Sequence, residues 1–481
     1  MENSTSNNEN NTSHSRKILV TDYPSFDEKD SLLGHSSNRS SGSLTDSFRK
    51  GRRSLVDSLH SGGTATITNE VFNLVKNIVA SGALAIPSGI AAFGNQYSAI
   101  FPAIFLMIFM GCINAYYFSL IGRVCSITGA ISYREAWELS VGKRGAFIVS
   151  LVCICKPALG NLAYSMILAD SLQSLFVTAG FHGFTRTICL WLVTWIVVFP
   201  LCLLKNLTVL APSSILGICG MLFTVTAMTI RYLDGTYDSQ RSGKFIADLP
   251  PEYRPSFGSI GADGVFSFRA LILLCMLATA YVAHYNAPRF YVELKNNTIP
   301  RYNRVVGISY VISAAIYILL GSVGFLTFGD NCSGYILNNY STRDITATLC
   351  RIAIASSVLF TYPIVFVGVR DGFIDLLLIP IDRQTNLLHV GITFILLLII
   401  TIMATCFQDL GIVMSLGGAT LATAVIYIFP SFMFYSAVGN LRDRATSRQN
   451  MEVIFAMAVM CLGISIGSIG VVMAIGGSEL G

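Results

Sequence analysis

The sequence predicts an all-α membrane protein of eleven spanning helices, ten in two inverted halves of five and one appended. Three observations predict it. Of the 481 residues, 53% are hydrophobic and only 12% are charged, where an ordinary soluble domain has about 25% charged; mean hydropathy is +0.61. Eleven apolar segments, each on the order of 20 residues and so long enough to span a bilayer, follow a polar N-terminal stretch. Two of them, the first and the sixth, are interrupted near their middles by glycine, proline or polar residues, for which a passive anchor has no use.

Residues 1–65 are rich in Ser and Asn and poor in large apolar side chains, which predicts a disordered cytosolic tail rather than a signal peptide. The tail holds three short patterns: an acidic dileucine (Glu28, Leu32, Leu33), a tyrosine signal (Tyr23 to Phe26) and a basophilic kinase site (Arg52, Arg53, Ser54). The first would engage sorting adaptors and favours a vacuolar or endolysosomal membrane over the plasma membrane. The transporter domain is 66–476, with apolar segments at 66–93, 97–122, 145–175, 185–204, 207–232, 266–293, 304–328, 346–370, 389–406, 410–437 and 452–476. Repeat one is 66–232, repeat two 266–437, and helix eleven 452–476.

Orientation follows from Lys and Arg placement. With a cytosolic N-terminus, thirteen such residues lie in cytosolic connections and five opposite. The loop 329–345 is then non-cytosolic, and its sequons at Asn331 and Asn339 are predicted glycosylation sites. Cys332 and Cys350 fall on the same side and could pair. The twelve cysteines are otherwise scattered through apolar segments without a CxxC, which leaves no zinc or redox motif.

The breaks carry the functional signal. Segment one reads FNLVKNIVASGALAIPSG, with Lys76 and Asn77 ahead of Ser81-Gly82 and Pro87 beyond; segment six reads AYVAHYNAPRFYVEL, interrupted from Ala283 to Pro288. Five helices per half invert the second half relative to the first, so matching breaks at corresponding positions are the pattern of an inverted-repeat transporter with its site at the midplane.

These two stretches resemble the amino acid/auxin permease family, which includes vacuolar and lysosomal amino acid transporters. Ala163–Leu172, Pro200–Gly217 and Val358–Asp371 agree with its third, fourth-to-fifth and eighth helices. The resemblance covers 66–476. It implies a LeuT-like fold with an eleventh helix, and amino acid transport by alternating access.

A zwitterionic substrate needs donors for its carboxylate and acceptors for its ammonium. Backbone N–H groups of Ala80, Ser81, Gly82 and Ala83 would supply the donors, aided by the next half-helix's dipole; carbonyls freed at both breaks would supply the acceptors. Tight packing of small residues is the competing explanation for Ser81-Gly82. His284, Tyr285 and Asn286 are candidate lining of the second break, with His284 a proton relay, substrate contact or packing residue. Lys76 is the coupling candidate. By the resemblance, sodium-coupled members carry asparagine here, so an ammonium would take a cation's place and point to protons; alternatively it snorkels to the interface. Ser357 and Thr361 share a helix face and could solvate it, or bond back to their own helix. Asn73, Pro87, Pro288, Tyr291 and Glu293 are read as gate or structural residues, with an Arg289–Glu293 pair at spacing four. Lys156 and Asp170 are further intramembrane charges, Asp170 near a wet end.

The predicted partners are an amino acid, protons and the bilayer, with no cofactor, metal or nucleic acid. An amino acid sensor signalling through the tail is the alternative. An enzyme is disfavoured, because the chain shows no metal cluster, Ser-His pair or phosphate loop.

Overall fold

The computed structural model describes residues 63–79, 81–204, 213–377, 379, 385–441 and 445–476. The chain divides into Met1–Ser58 and Leu59–Gly481. The first unit lies outside the described residues, and with it Glu28, Leu32, Leu33 and the other tail patterns; Ala80 lies outside them too.

The described architecture is all-α. In chain order the helices are α1 (Ile67–Ile78), α2 (Ile86–Ala91), α3 (Ile100–Thr128), α4 (Tyr133–Ser140), α5 (Ala146–Thr178), α6 (Arg186–Cys202), α7 (Ser213–Leu233), α8 (Ala270–Tyr281), α9 (Ala287–Glu293), α10 (Ile299–Phe328), α11 (Ile345–Leu376), α12 (Asn386–Cys406), α13 (Leu410–Leu441) and α14 (Ser447–Gly476). Among the described residues eight helices are long and apolar enough to cross a membrane, counting α8–α9 as one, and the bent pair α1–α2 makes a ninth. The other two expected segments are the shorter apolar helices Arg186–Cys202 and Gly217–Leu233.

Polar caps set the helix starts. The side chains of Thr66, Thr185, Thr385, Asp344 and Asp409 each accept a bond from a first-turn N–H, satisfying donors that have no partner within the helix. The broken helix α8–α9 is the most enclosed span, 72% buried, whereas α14 is 28% buried and turns Phe455 and Val472 outward. Outward apolar side chains are the expected lipid face. α10 packs along α1, α2 and α3. It reaches α2 because Gly324 has no side chain: a Cβ there would lie 2.5 Å from Pro87 Cγ.

The chain ahead of α1 is ordered into this domain. Ala65 N–H donates to Glu293 O (3.1 Å), Lys295 N–H donates to Ala65 O (2.9 Å), and Ala65 bridges Leu294.

In the loop 329–344 the two sequons differ. Asn339 is fully buried; its Nδ2 donates to Asn331 O (2.7 Å) and its Oδ1 accepts from Ser333 N–H (2.8 Å). With no exposed surface, the Asn339 side chain has no room for a glycan while the loop is packed. Asn331 is only half-buried, with Nδ2 donating to Arg254 O at 2.9 Å. Cys332 and Cys350 are both unbridged.

Candidate functional site

The two breaks meet. α1 ends at Ile78, and the backbone leaves the helix at Val79 (φ −78°, ψ 76°) before a 3₁₀ turn over Ser81–Ala85 and α2. The halves Ile67–Ile78 and Gly82–Ala91 are bent by 44°. α8 ends at Tyr281; Val282 is extended (φ −72°, ψ 111°), and a 3₁₀ turn over His284–Asn286 leads into α9. The second break thus begins at Val282, a residue ahead of the predicted Ala283–Pro288. Prolines occupy the first turn of both following half-helices, Pro87 in α2 and Pro288 in α9, where a missing N–H costs nothing.

Gly82 forms the contact between them. A Cβ on Gly82 would lie 3.1 Å from Ala280 Cα and 2.6 Å from Met414 Cε. The residue facing the first break is therefore Ala280, and the Met414 side chain from α13 covers it.

A helix break frees carbonyls, and inside a bilayer each needs a donor. Tyrosines of α10 supply them. Tyr317 OH lies 2.7 Å from Ile78 O and 2.8 Å from Ala280 O, so one hydroxyl serves the last turns of both broken helices. Tyr310 OH donates to Tyr281 O (3.2 Å), and Tyr302 OH to Ala287 O (3.1 Å). Sequence reasoning missed all three. Their spacing of eight and seven puts them on one face of α10, a stripe legible in the sequence.

Beyond the breaks a vestibule of about 1080 Å³ opens at the end of the bundle that carries loops 246–253 and 330–342. Ser88, Met276 and Ser415 line it nearest the breaks, and Asp170, Arg186 and Asp409 line its walls. Ser415 is 1% exposed and, among the described residues, its hydroxyl has no partner. Asp170 is buried rather than wet: Arg186 Nε donates to it at 2.6 Å and Asn338 Nδ2 at 3.3 Å. Tyr253, in the loop over the cavity, has its phenol held above the ordinary value, first by burial and then by the charges of Asp170, Glu252 and Asp409. At the other end of the bundle Ala65 pairs with Glu293 and Lys295 through two backbone hydrogen bonds.

The other predicted residues fall around this centre. His284 is fully buried and turned away from the vestibule: Nε2 lies 3.0 Å from Asn114 O of α3, with the ring edge-on to Phe118. Tyr285 and Asn286 are half-buried beside it. Lys76 is half-buried in the last turn of α1, where a cation complements the helix's negative end. Ser357 faces Gly217 of α7, its Oγ 2.8 Å from where a Cβ there would stand, and Thr361 donates back to Ser357 O at 2.8 Å. The Arg289–Glu293 pair forms at 2.7 Å, Tyr291 packs edge-on against Tyr302, and Asn73 is exposed on α1.

A multi-span helical protein with two broken helices that meet, and a vestibule lined by α2 and α8 beside the breaks, has the build of a membrane transporter. The chain belongs to the transmembrane amino acid transporter protein family, which it matches over residues 63–475. It is 23% identical to "Putative sodium-coupled neutral amino acid transporter 11" of Bos taurus, covering 89% of this chain and 88% of the relative. It is 25% identical to "Amino acid transporter AVT6E" of Arabidopsis thaliana, over 86% and 85%. Its fold matches the inward-facing conformation of Mhp1, at 14% identity, TM-score 0.54, and 86% and 89% coverage. Family and relatives are transporters, not enzymes.

Proposed function

We propose that the chain is a secondary transporter that moves amino acids by alternating access and is driven by protons. The observation that carries the transport reading is the junction of the two breaks, where Ile78 O and Ala280 O converge on one Tyr317 hydroxyl. Carbonyls that converge there suit an α-ammonium, and the N–H groups of Ser81, Gly82 and Ala83, with Ala80, suit a carboxylate at the start of the following half-helix. His284, Tyr285 and Asn286 support the second break from the side of α3.

The reading counts α6 and α7 as spans, giving eleven helices, two inverted sets of five and α14 appended. The N-terminus is cytosolic, so the vestibule faces the lumen or the outside, and Asn331 is the glycan acceptor. The membrane is vacuolar or endolysosomal, with Glu28, Leu32 and Leu33 read by sorting adaptors.

The bovine relative's name points to sodium and to neutral amino acids. Lys76 supports protons instead: its ammonium places a fixed positive charge at the end of α1, beside the break. Uptake of a radiolabelled amino acid panel into proteoliposomes, with an imposed pH gradient and sodium replaced by choline, tests this. Flux sustained in choline and driven by the gradient is expected; strict sodium dependence sinks the proton reading and leaves the transport reading standing.

A further inference from the structure

Glu70 lies one turn into α1, its N–H donating to Thr66 O at 3.0 Å. It is 1% exposed, and among the described residues neither carboxyl oxygen has a hydrogen-bond partner. The large majority of buried side-chain polar atoms are satisfied, and an ionised carboxylate is among the costliest to leave dry. The proposed transport chemistry makes no use of it.

Its surroundings are those of a gate. Glu70 lies five residues beyond Ala65, the residue that pairs with 293–295 and closes the cytosolic end. The charges nearest it are Arg289 and Glu293 of α9; these bind each other at 2.7 Å, so the guanidinium's Nε is already committed. From α10 the phenol of Tyr302 faces it, with its hydroxyl engaged on Ala287 O. At the same end of α10, Arg301 donates to Lys295 O (3.2 Å) and Arg304 is exposed. α7 also touches α1, but its described charged residue, Arg231, sits at the far end on Asp344. On α1 itself Lys76 is six residues further along.

We propose that Glu70 is a proton-binding site of the cytosolic gate, holding a proton while the 65/293–295 strip is closed and releasing it to cytosolic water when the strip parts. In the closed gate a neutral carboxyl can stay dry, whereas a carboxylate would be buried beside Glu293 with no hydrogen bond. Opening brings water to the group and lets the proton go. The closed form thus binds the proton more tightly than the open form, and by linkage acid holds the gate shut. The proposal rests on the transporter reading with α1 starting at the cytosolic face.

The test is exchange of radiolabelled amino acid across proteoliposomes holding full-length protein, with equal amino acid and equal pH on both sides, titrated from about pH 8 to about pH 5, the range over which such a group can switch. Wild-type exchange is expected to fall about tenfold toward acid, the middle of the usual range for two coupled equilibria. Glu70→Gln, permanently neutral, is expected to be flat and slow at every pH, matching the acid limb of wild type. Glu70→Asp keeps the carboxyl and should keep a slope. A Glu70→Gln protein with the wild-type slope overturns the proposal, and so does a flat Glu70→Asp profile alongside a sloped wild type. Net uptake under a pH gradient separates this from the driving-ion question. If the gradient drives no flux while Glu70→Gln flattens exchange, the proton-driven reading fails and the gate site stands. If the gradient drives Glu70→Gln as it drives wild type and the exchange slope survives, the gate site fails alone.

Discussion

Replacing Tyr317 with Phe removes one oxygen and leaves the ring. The hydroxyl it deletes lies 2.7 Å from Ile78 O and 2.8 Å from Ala280 O, at a side chain with no exposed surface. Water cannot take its place unless the packing opens, so two carbonyls lose a donor at once. Leaving a buried polar group without its partner costs about 1–3 kcal/mol. One proton shared between two acceptors puts the expected loss near the middle of that range, about 2 kcal/mol. For a domain of this size that is a fall of about 2 °C in apparent melting temperature. The assay is thermal unfolding of purified protein in detergent, with and without the amino acid that gives the largest uptake. A substrate ammonium brings up to three N–H donors to the same carbonyls, so bound substrate should stabilise Tyr317→Phe more than wild type and recover most of the loss. Two results would refute the reasoning: an unchanged melting temperature without substrate, or a loss that saturating substrate does not recover.

Gly82→Ala places a methyl 2.6 Å from Met414 Cε and 3.1 Å from Ala280 Cα; Met414 can swing aside but the Ala280 backbone cannot, and overpacking of this kind costs about 1–3 kcal/mol. The expected result is a KM raised about tenfold or more with the fold retained, read by uptake kinetics and gel filtration. Asp170→Asn removes the carboxylate charge and leaves the Arg186 guanidinium a neutral amide oxygen beside its bond to Ala404 O (3.0 Å). It should destabilise the protein by about 3 kcal/mol, and adding Arg186→Gln should recover at least half, because no lone buried charge remains; thermal unfolding of the single and double variants measures it.

The sequence carried the breaks because glycine, proline and polar residues inside apolar runs have few explanations in a bilayer. Ser81-Gly82 and the 283–288 stretch therefore located the centre to within a residue or two. It could not say what answers the freed backbone groups, since hydrogen bonds such as Tyr317 to Ile78 join positions 239 apart in the chain. His284 shows the opposite failure. Its chemistry nominated it for the site, yet its neighbour along the backbone, the extended Val282, rotates it out against Asn114 of α3. Asp170 was read as wet because it lies near a helix end; its burial depends on Arg186 from the next helix and Asn338 from a distant loop. Nothing in the sequence marks Glu70, since acidic residues in a helix's first turn commonly cap or meet the dipole in water. It is buried on α1, along which α10 packs. In each case the chain announces where regular structure fails, and the partners that make that failure usable come from elements far away in sequence. The tyrosines of α10 satisfy the carbonyls on one side of the breaks, and Glu70 of α1 keeps a buried carboxyl without a described partner.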